Sequence, residues 1–141
     1  MPAHSPISHA EESKPRGILV VEDEVLVRLT VSEFLRDCGF QVFEAADGEE
    51  AVKVLTASTA PIDLVFSDIQ MPRRDGFGLA CWIRENRPHV KVILTSGNPA
   101  SVAAKASDLC EQGPIVSKPY DHARLRQTIE RMLSKANTAT T

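Results

Sequence analysis

The sequence predicts one doubly wound α/β domain, and two observations carry that reading. Short apolar runs alternate five times with segments of helical spacing. Three of those runs show little polar alternation, the pattern of parallel strands covered by helices on both faces. The 141 residues leave room for one such domain against a prior of roughly 150 residues per domain. A domain near this size hides about two-thirds of its unfolded surface, enough for a real core.

Residues 1 to 15 are rich in Pro, Ser, His and Glu without periodicity and read as a loose tail ahead of a domain over residues 16 to 135. The first strand is Gly17 to Val21. Val27, Val31, Phe34, Leu35 and Cys38 then share one helix face. Gln41 to Ala45 is the second strand, and Asp47 with Glu50 places a capping box before a helix running toward Thr56. Leu64 to Ser67 is the third and most apolar strand. The helix after it, Gly76 to Asn86, is ended by Arg87-Pro88 and carries Trp82 as a half-buried residue. Val90 to Leu94 is the fourth strand. The weakest helix is Ser101 to Cys110, rich in Ala and Ser with few large apolar anchors. Ile115 to Ser117 is the fifth strand, and Leu125, Ile129, Met132 and Leu133 form the last stripe. Residues 136 to 141 read as a second tail.

Hydrophobic residues at 43% and charged residues at 25% exclude wholesale disorder. A net charge of −3 with no basic block argues against direct nucleic-acid binding. There is no apolar signal-peptide core near Met1, and no apolar run of the roughly 20 residues a membrane helix needs, so a cytoplasmic protein without membrane contact is expected. Cys38, Cys81 and Cys110 have no short-range pairing pattern and read as free thiols. His4, His9, His89 and His122 stand among polar neighbours and read as solvated side chains.

In an open parallel sheet, ligands bind beyond the carboxyl ends of the strands. After the first strand come Glu22, Asp23 and Glu24; after the third, Asp68; after the fourth, Thr95; after the fifth, Lys118. Two carboxylates about 5 Å apart repel by roughly 3 kcal/mol at an effective dielectric near 20, and a third adds to this. A hard cation relieves the repulsion, and Mg²⁺ favours one or two carboxylates plus phosphate oxygens. Acids, an ammonium and a hydroxyl around Mg²⁺ point to phosphoryl transfer with a carboxylate nucleophile. Asp68 is the choice for that nucleophile, because it ends the central strand and projects from a rigid element.

The ordered set Val20-Val21-Glu22-Asp23-Glu24, Asp68-Ile69-Gln70-Met71-Pro72 with Asp75-Gly76, Leu94-Thr95-Ser96-Gly97 and Lys118-Pro119-Tyr120 resembles the receiver domain of bacterial two-component response regulators. The resemblance spans about residues 16 to 135. It implies a flavodoxin-like (βα)5 fold with strand order 2-1-3-4-5. It implies that Asp68 accepts a phosphoryl group from a sensor histidine kinase or a histidine phosphotransfer protein. By the same resemblance Asp23 and Asp68 ligate Mg²⁺ (with Mn²⁺ an alternative), the backbone carbonyl of Gln70 adds a ligand, and Glu22 acts through water. Lys118 pairs with Asp68 or the phosphoryl group, Thr95 donates its hydroxyl to a phosphoryl oxygen, and Pro119 follows a cis peptide.

The sequence departs from the family at Ile115, where many receivers carry Tyr or Phe, and at Tyr120, where Phe is commoner. With Gly113-Pro114 and the weak helix before them, these departures resemble a subgroup lacking the usual switch aromatic. Output is therefore expected through the helix Ser101 to Cys110, with the fifth strand and last helix as the binding surface and Arg124, Gln127 and Arg131 as exposed contacts. Arg73 and Arg74 read as loop residues on the rim of the site, and Gly97 as a turn glycine.

The expected protein is a stand-alone signalling switch, a monomer or weak dimer acting on an unknown downstream protein. It would be no enzyme beyond its own phosphoryl transfer and dephosphorylation. An inert receiver-like scaffold is disfavoured by Asp23, Asp68 and Lys118 standing together. An Asp-nucleophile phosphohydrolase lacks its substrate-capping insertion, and an FMN-binding protein needs a hydroxyl- and glycine-rich loop where this chain has acids.

Overall fold

The computed structural model describes residues 15–57, 59, 61–97 and 115–140, the last six by their backbone alone. In chain order the elements are β1 (Gly17–Val21), α1 (Val25–Asp37), β2 (Gln41–Ala45), α2 (Gly48–Ala57), β3 (Leu64–Asp68), α3 (Gly76–Asn86), β4 (Lys91–Ser96), β5 (Ile115–Ser117) and α4 (His122–Thr140). All strands pair in parallel in the order β2-β1-β3-β4-β5. The order reverses at β1, which places the ligand-binding crevice beyond the carboxyl ends of β1 and β3. The doubly wound fold and its strand order are those expected, and β1, β2 and β5 fall where the sequence placed them.

Alternation along the strands divides the core into two layers. Ile18 and Val20 of β1 pack with Leu64, Phe66 and Ile93 against Val31 and Leu35 of α1 and Leu125, Ile129 and Leu133 of α4. Leu19 and Val21 turn to the other face with Val65 and Leu94, against Ala51 and Leu55 of α2 and Phe77, Ala80 and Ile83 of α3. Every residue of β1 and β3 is buried, which explains why those runs are apolar throughout. Each fully buried Leu or Ile contributes about 1.5–3 kcal/mol, and this double layer holds the strand ends in register.

Four local findings differ from the expectations. Strand β4 starts at Lys91 and runs to Ser96, so Thr95 lies inside the strand, opposite Asp68 in the β3–β4 ladder. The helix α4 continues to Thr140, where a tail from residue 136 was expected; Ala136 and Ala139 favour helix and no Pro or Gly interrupts it. His122 is half-buried, with its ring centroid 5.1 Å from Phe34 and 5.9 Å from Tyr120; its polar sequence neighbours concealed aromatic neighbours in space. Cys38 is a free thiol as expected, but Cys81 is disulfide-bonded, because bonding depends on proximity in the fold and not on spacing along the chain.

Other readings stand. Asp47 accepts the Glu50 amide at 2.9 Å and Glu50 reaches back, to the Ala46 amide in place of that of Asp47. Asp75 caps α3 through the Gly78 amide at 2.8 Å. Trp82 is half-buried, with the Arg87 guanidinium 5.8 Å from its ring centroid. The N-terminal tail, His4, His9, Cys110 and the helix expected over Ser101 to Cys110 lie outside the described residues.

Candidate functional site

The crevice beyond β1 and β3 is built from backbone outward. Asp68 is the last residue of β3, and the loop after it leads to Gly76, which opens α3. A Cβ on Gly76 would stand 2.7 Å from both the Asp68 carbonyl oxygen and the Ile69 Cα. Only glycine lets α3 start this close to the strand end. The amide of Ile69 donates to the Thr95 carbonyl at 3.0 Å and that of Lys118 to the Ser96 carbonyl at 2.8 Å. These bonds continue the sheet past its strands and fix Asp68, Thr95 and Lys118 relative to one another. The Lys118–Pro119 peptide is cis, as expected.

Glu22, Asp23 and Asp68 each bring a carboxylate oxygen into one group, all within 4.8 Å of one another. Glu22 and Asp68 are buried and Asp23 is exposed. The Lys118 ammonium stands 3.2 Å from Asp68 Oδ2 and 3.5 Å from Glu22 Oε1. Glu22 Oε2 also accepts the Glu24 amide at 3.1 Å. Lys118 pairs with Asp68, one of the two partners expected for it, and its contact with Glu22 was not foreseen. Gln70 is exposed, and its amide hydrogen-bonds the Asp68 carboxylate.

The electrostatics follow from crowding acids in a half-closed site. Burial pushes the Asp68 carboxyl above its ordinary value, and it outweighs the ammonium of Lys118 and the amides of Gln70 and Ile69. Burial also pushes Glu22 up, with the charge of Asp68 adding to it and the Glu24 amide opposing it. For Lys118 burial pulls downward, but Asp68 and Glu22 together hold the ammonium above its ordinary value. Tyr120, whose ring meets Phe66 edge-on at 5.4 Å, has its hydroxyl pushed far up by burial and by the same two acids. Among the described residues the fully buried hydroxyl of Thr95 has no hydrogen-bond partner.

Hard oxygen donors in excess negative charge fit Mg²⁺, and a buried unpartnered hydroxyl beside them fits an incoming anionic oxygen. The residues present thus suit both a divalent cation and a phosphoryl group.

A second charged cluster, missed from sequence, lies where the loop after Asp68 meets the start of α2. Arg73 pairs with Asp47, and Arg74 with Glu49 at 3.4 Å. Both arginines lie in the loop, as read from the sequence, and their ion pairs are what that reading did not include. The Glu50 amide holds the Asp47 carboxyl below its ordinary value against the cost of burial, with Arg73 helping. Nearby, Glu44 pairs with Arg28 at 3.3 Å and Arg36 at 3.2 Å, while Arg28 donates to the Glu22 carbonyl at 2.7 Å. Arg124, Gln127 and Arg131 are exposed on α4, as expected, and Ile115 is half-buried against the α2–α3 layer. No Cβ on Gly97 would meet a neighbour, so packing does not require glycine there.

Residues 18–130 match the response regulator receiver domain family. The chain is 36% identical over 131 residues to the transcriptional regulatory protein PdtaR of Mycobacterium tuberculosis, covering 92% of this chain and 62% of that protein. It therefore spans less than two-thirds of that relative's length. It is 34% identical over 129 residues to the probable chemotaxis protein CheY of Rhizobium etli, covering 88% and 95% of the two chains. A signal receiver domain of an HD domain-containing protein from Pseudomonas fluorescens superposes with a TM-score of 0.80 at 25% identity, over 89% of this chain and 99% of that one. Among the described residues no helix is long and apolar enough to cross a membrane.

Proposed function

The chain belongs to the response regulator receiver domain family of two-component signalling, and from that premise we propose that it is a phosphorylation-controlled switch with Asp68 as phosphoacceptor. The observation that carries the reading is Asp68 held at a strand end between two further carboxylates, the Lys118 ammonium and the orphaned Thr95 hydroxyl. Bound Mg²⁺ would offset the crowded negative charge and polarise a phosphoryl group. Asp23, Asp68 and the carbonyl of Gln70 are the residues proposed to hold it, with Glu22 behind a water.

The chain's own groups divide the remaining work. Asp68 attacks the phosphorus of a phosphohistidine on a sensor kinase or phosphotransfer protein, an O–P bond forms as the N–P bond breaks, and the imidazole leaves with the electron pair. Lys118 already touches Asp68 and answers charge that develops on the phosphoryl oxygens. Thr95 donates its unused hydroxyl to one of them. The protein carries out only this transfer and the later hydrolysis of the aspartyl phosphate, in which water attacks phosphorus and the Asp68 carboxylate leaves with release of inorganic phosphate. The modified site changes a protein-binding surface that includes β5 and the exposed face of α4.

Intact mass after incubation with acetyl phosphate and Mg²⁺ tests the reading. The wild-type chain gains one phosphoryl group, the gain requires Mg²⁺, and Asp68→Asn reduces labelling by more than about 100-fold. Labelling of the Asn variant at the wild-type level would overturn the assignment.

A further inference from the structure

Asp68 is joined to α3 by a loop that touches the molecule at three places. At its far end the Gly76 amide donates to the Ile69 carbonyl at 2.8 Å, and Asp75 caps the helix. On its near side the Gln70 amide hydrogen-bonds the Asp68 carboxylate. In its middle, Arg73 has φ 68°, a left-handed conformation that glycine adopts without cost and arginine does not. An arginine in that position calls for something that holds it. Its guanidinium pairs with Asp47, whose side chain is only 3% exposed and is fixed by the Glu50 amide.

The next residue reinforces the contact. Arg74 pairs with Glu49, and its carbonyl oxygen lies 2.2 Å from where a Cβ on Gly48 would be. The loop is therefore seated on the first turn of α2, with Gly48 as the gap that admits it. Gln70, whose amide reaches the Asp68 carboxylate, lies in the chain between this seat and Asp68, three residues before Arg73.

We infer that Arg73 is a positioning residue for the phosphoacceptor site, holding the loop through Asp47 so that Gln70 and Asp68 face Asp23 in the arrangement that binds a divalent cation. The inference rests on the reading of Asp68 as a metal-dependent phosphoacceptor. An ordinary exposed ion pair would alter stability a little and the site not at all. Arg73→Gly separates the two, because it removes the guanidinium while relieving the backbone conformation, and so costs little stability.

Mg²⁺ titration of the full chain, followed by amide NMR shifts, tests the inference without relying on activity. Arg73→Gly and Asp47→Asn should each raise the Mg²⁺ dissociation constant about tenfold, the scale on which groups behind metal ligands act. The double variant should be no weaker than the weaker single variant, since both remove one interaction. Arg73→Lys should recover most of the wild-type affinity. Affinities within twofold of wild type in both single variants would overturn the inference, whatever happens to thermal stability. Losses that multiply in the double variant would overturn it too. A wild-type chain that binds no Mg²⁺ would overturn the phosphoacceptor reading as well, whereas wild-type binding and phosphoryl uptake beside unaffected variants would overturn this inference alone.

Discussion

Two acidic clusters stand side by side at the carboxyl edge of the sheet, and their charge balance differs. Glu22, Asp23 and Asp68 are answered, among the described residues, by the single ammonium of Lys118. Asp47 and Glu49, at the start of α2, are answered by two guanidiniums, those of Arg73 and Arg74. The contrast appears in the carboxyl groups themselves. Burial drives Glu22 and Asp68 up, while Asp47, at least as inaccessible, is held down by an amide and a guanidinium. A surplus of acid left uncompensated marks a place for an incoming cation, and a balanced set of the same residue types marks structural support. Acidity alone would not have told the two apart.

The contrast can be broken most severely at Lys118. Lys118→Met leaves Glu22 and Asp68 unanswered and should destabilise the metal-free protein by about 2–3 kcal/mol in urea unfolding. The more negative site should then bind Mg²⁺ more tightly than wild type, so that the cation restores much of the loss. Unchanged stability, or weaker Mg²⁺ binding, would show that the ammonium does not balance this cluster.

Within the same cluster, Asp23→Asn should weaken Mg²⁺ binding by roughly tenfold and Glu22→Gln by about twofold or less, because charge that contacts a hard ion directly dominates affinity. Asp23 is open to solvent, whereas Glu22 is committed to Lys118 and the Glu24 amide. Equal losses in a titration would remove the distinction.

A smaller effect follows from the raised Asp68 carboxyl. A buried acid whose value is higher folded than unfolded disfavours folding at neutral pH, and that penalty disappears as pH falls through the folded value toward the unfolded 3.8. Without metal, Asp68→Asn should therefore be more stable than wild type at pH 7. The advantage should shrink as pH is lowered toward 4. The opposite sign holds for Asp47, whose stabilisation is present above the unfolded 3.8 and lost as pH drops through its lower folded value. Urea midpoints of the two proteins across this range would show it, and an advantage that grows in acid would contradict it. Smallest of all, Glu44→Gln, which removes the partner of Arg28 and Arg36 on the α1 face of the sheet, should cost less than about 1 kcal/mol, an effect that vanishes at high salt, and should leave Mg²⁺ affinity unchanged.

The first cluster was legible from sequence and the second was not, for a physical reason. Asp23, Asp68, Thr95 and Lys118 follow or end apolar runs, and a parallel sheet brings all such ends to one edge, so strand assignment alone gathered them. Arg73 reaches Asp47 across 26 positions, from a loop whose path depends on a left-handed residue and on the space beside Gly48. No periodicity encodes that path. The aromatic setting of His122, the bond at Cys81 and the extension of β4 through Thr95 were hidden in the same way, since each depends on what the fold places opposite. The strands and the apolar helix faces needed only alternation and spacing, and those are written locally.

The hydroxyl of Thr95, opposite Asp68 near the carboxyl end of β4, has no partner among the described residues. Leaving a buried donor unmet costs about 1–3 kcal/mol, so the resting fold lies above the free energy that a simple valine-like filler would give it. That frustration is local, and it faces the one carboxylate proposed to gain new acceptor oxygens. Modification of Asp68, as proposed, would bring an acceptor oxygen to that hydroxyl, and the change would be felt first between these two facing strands.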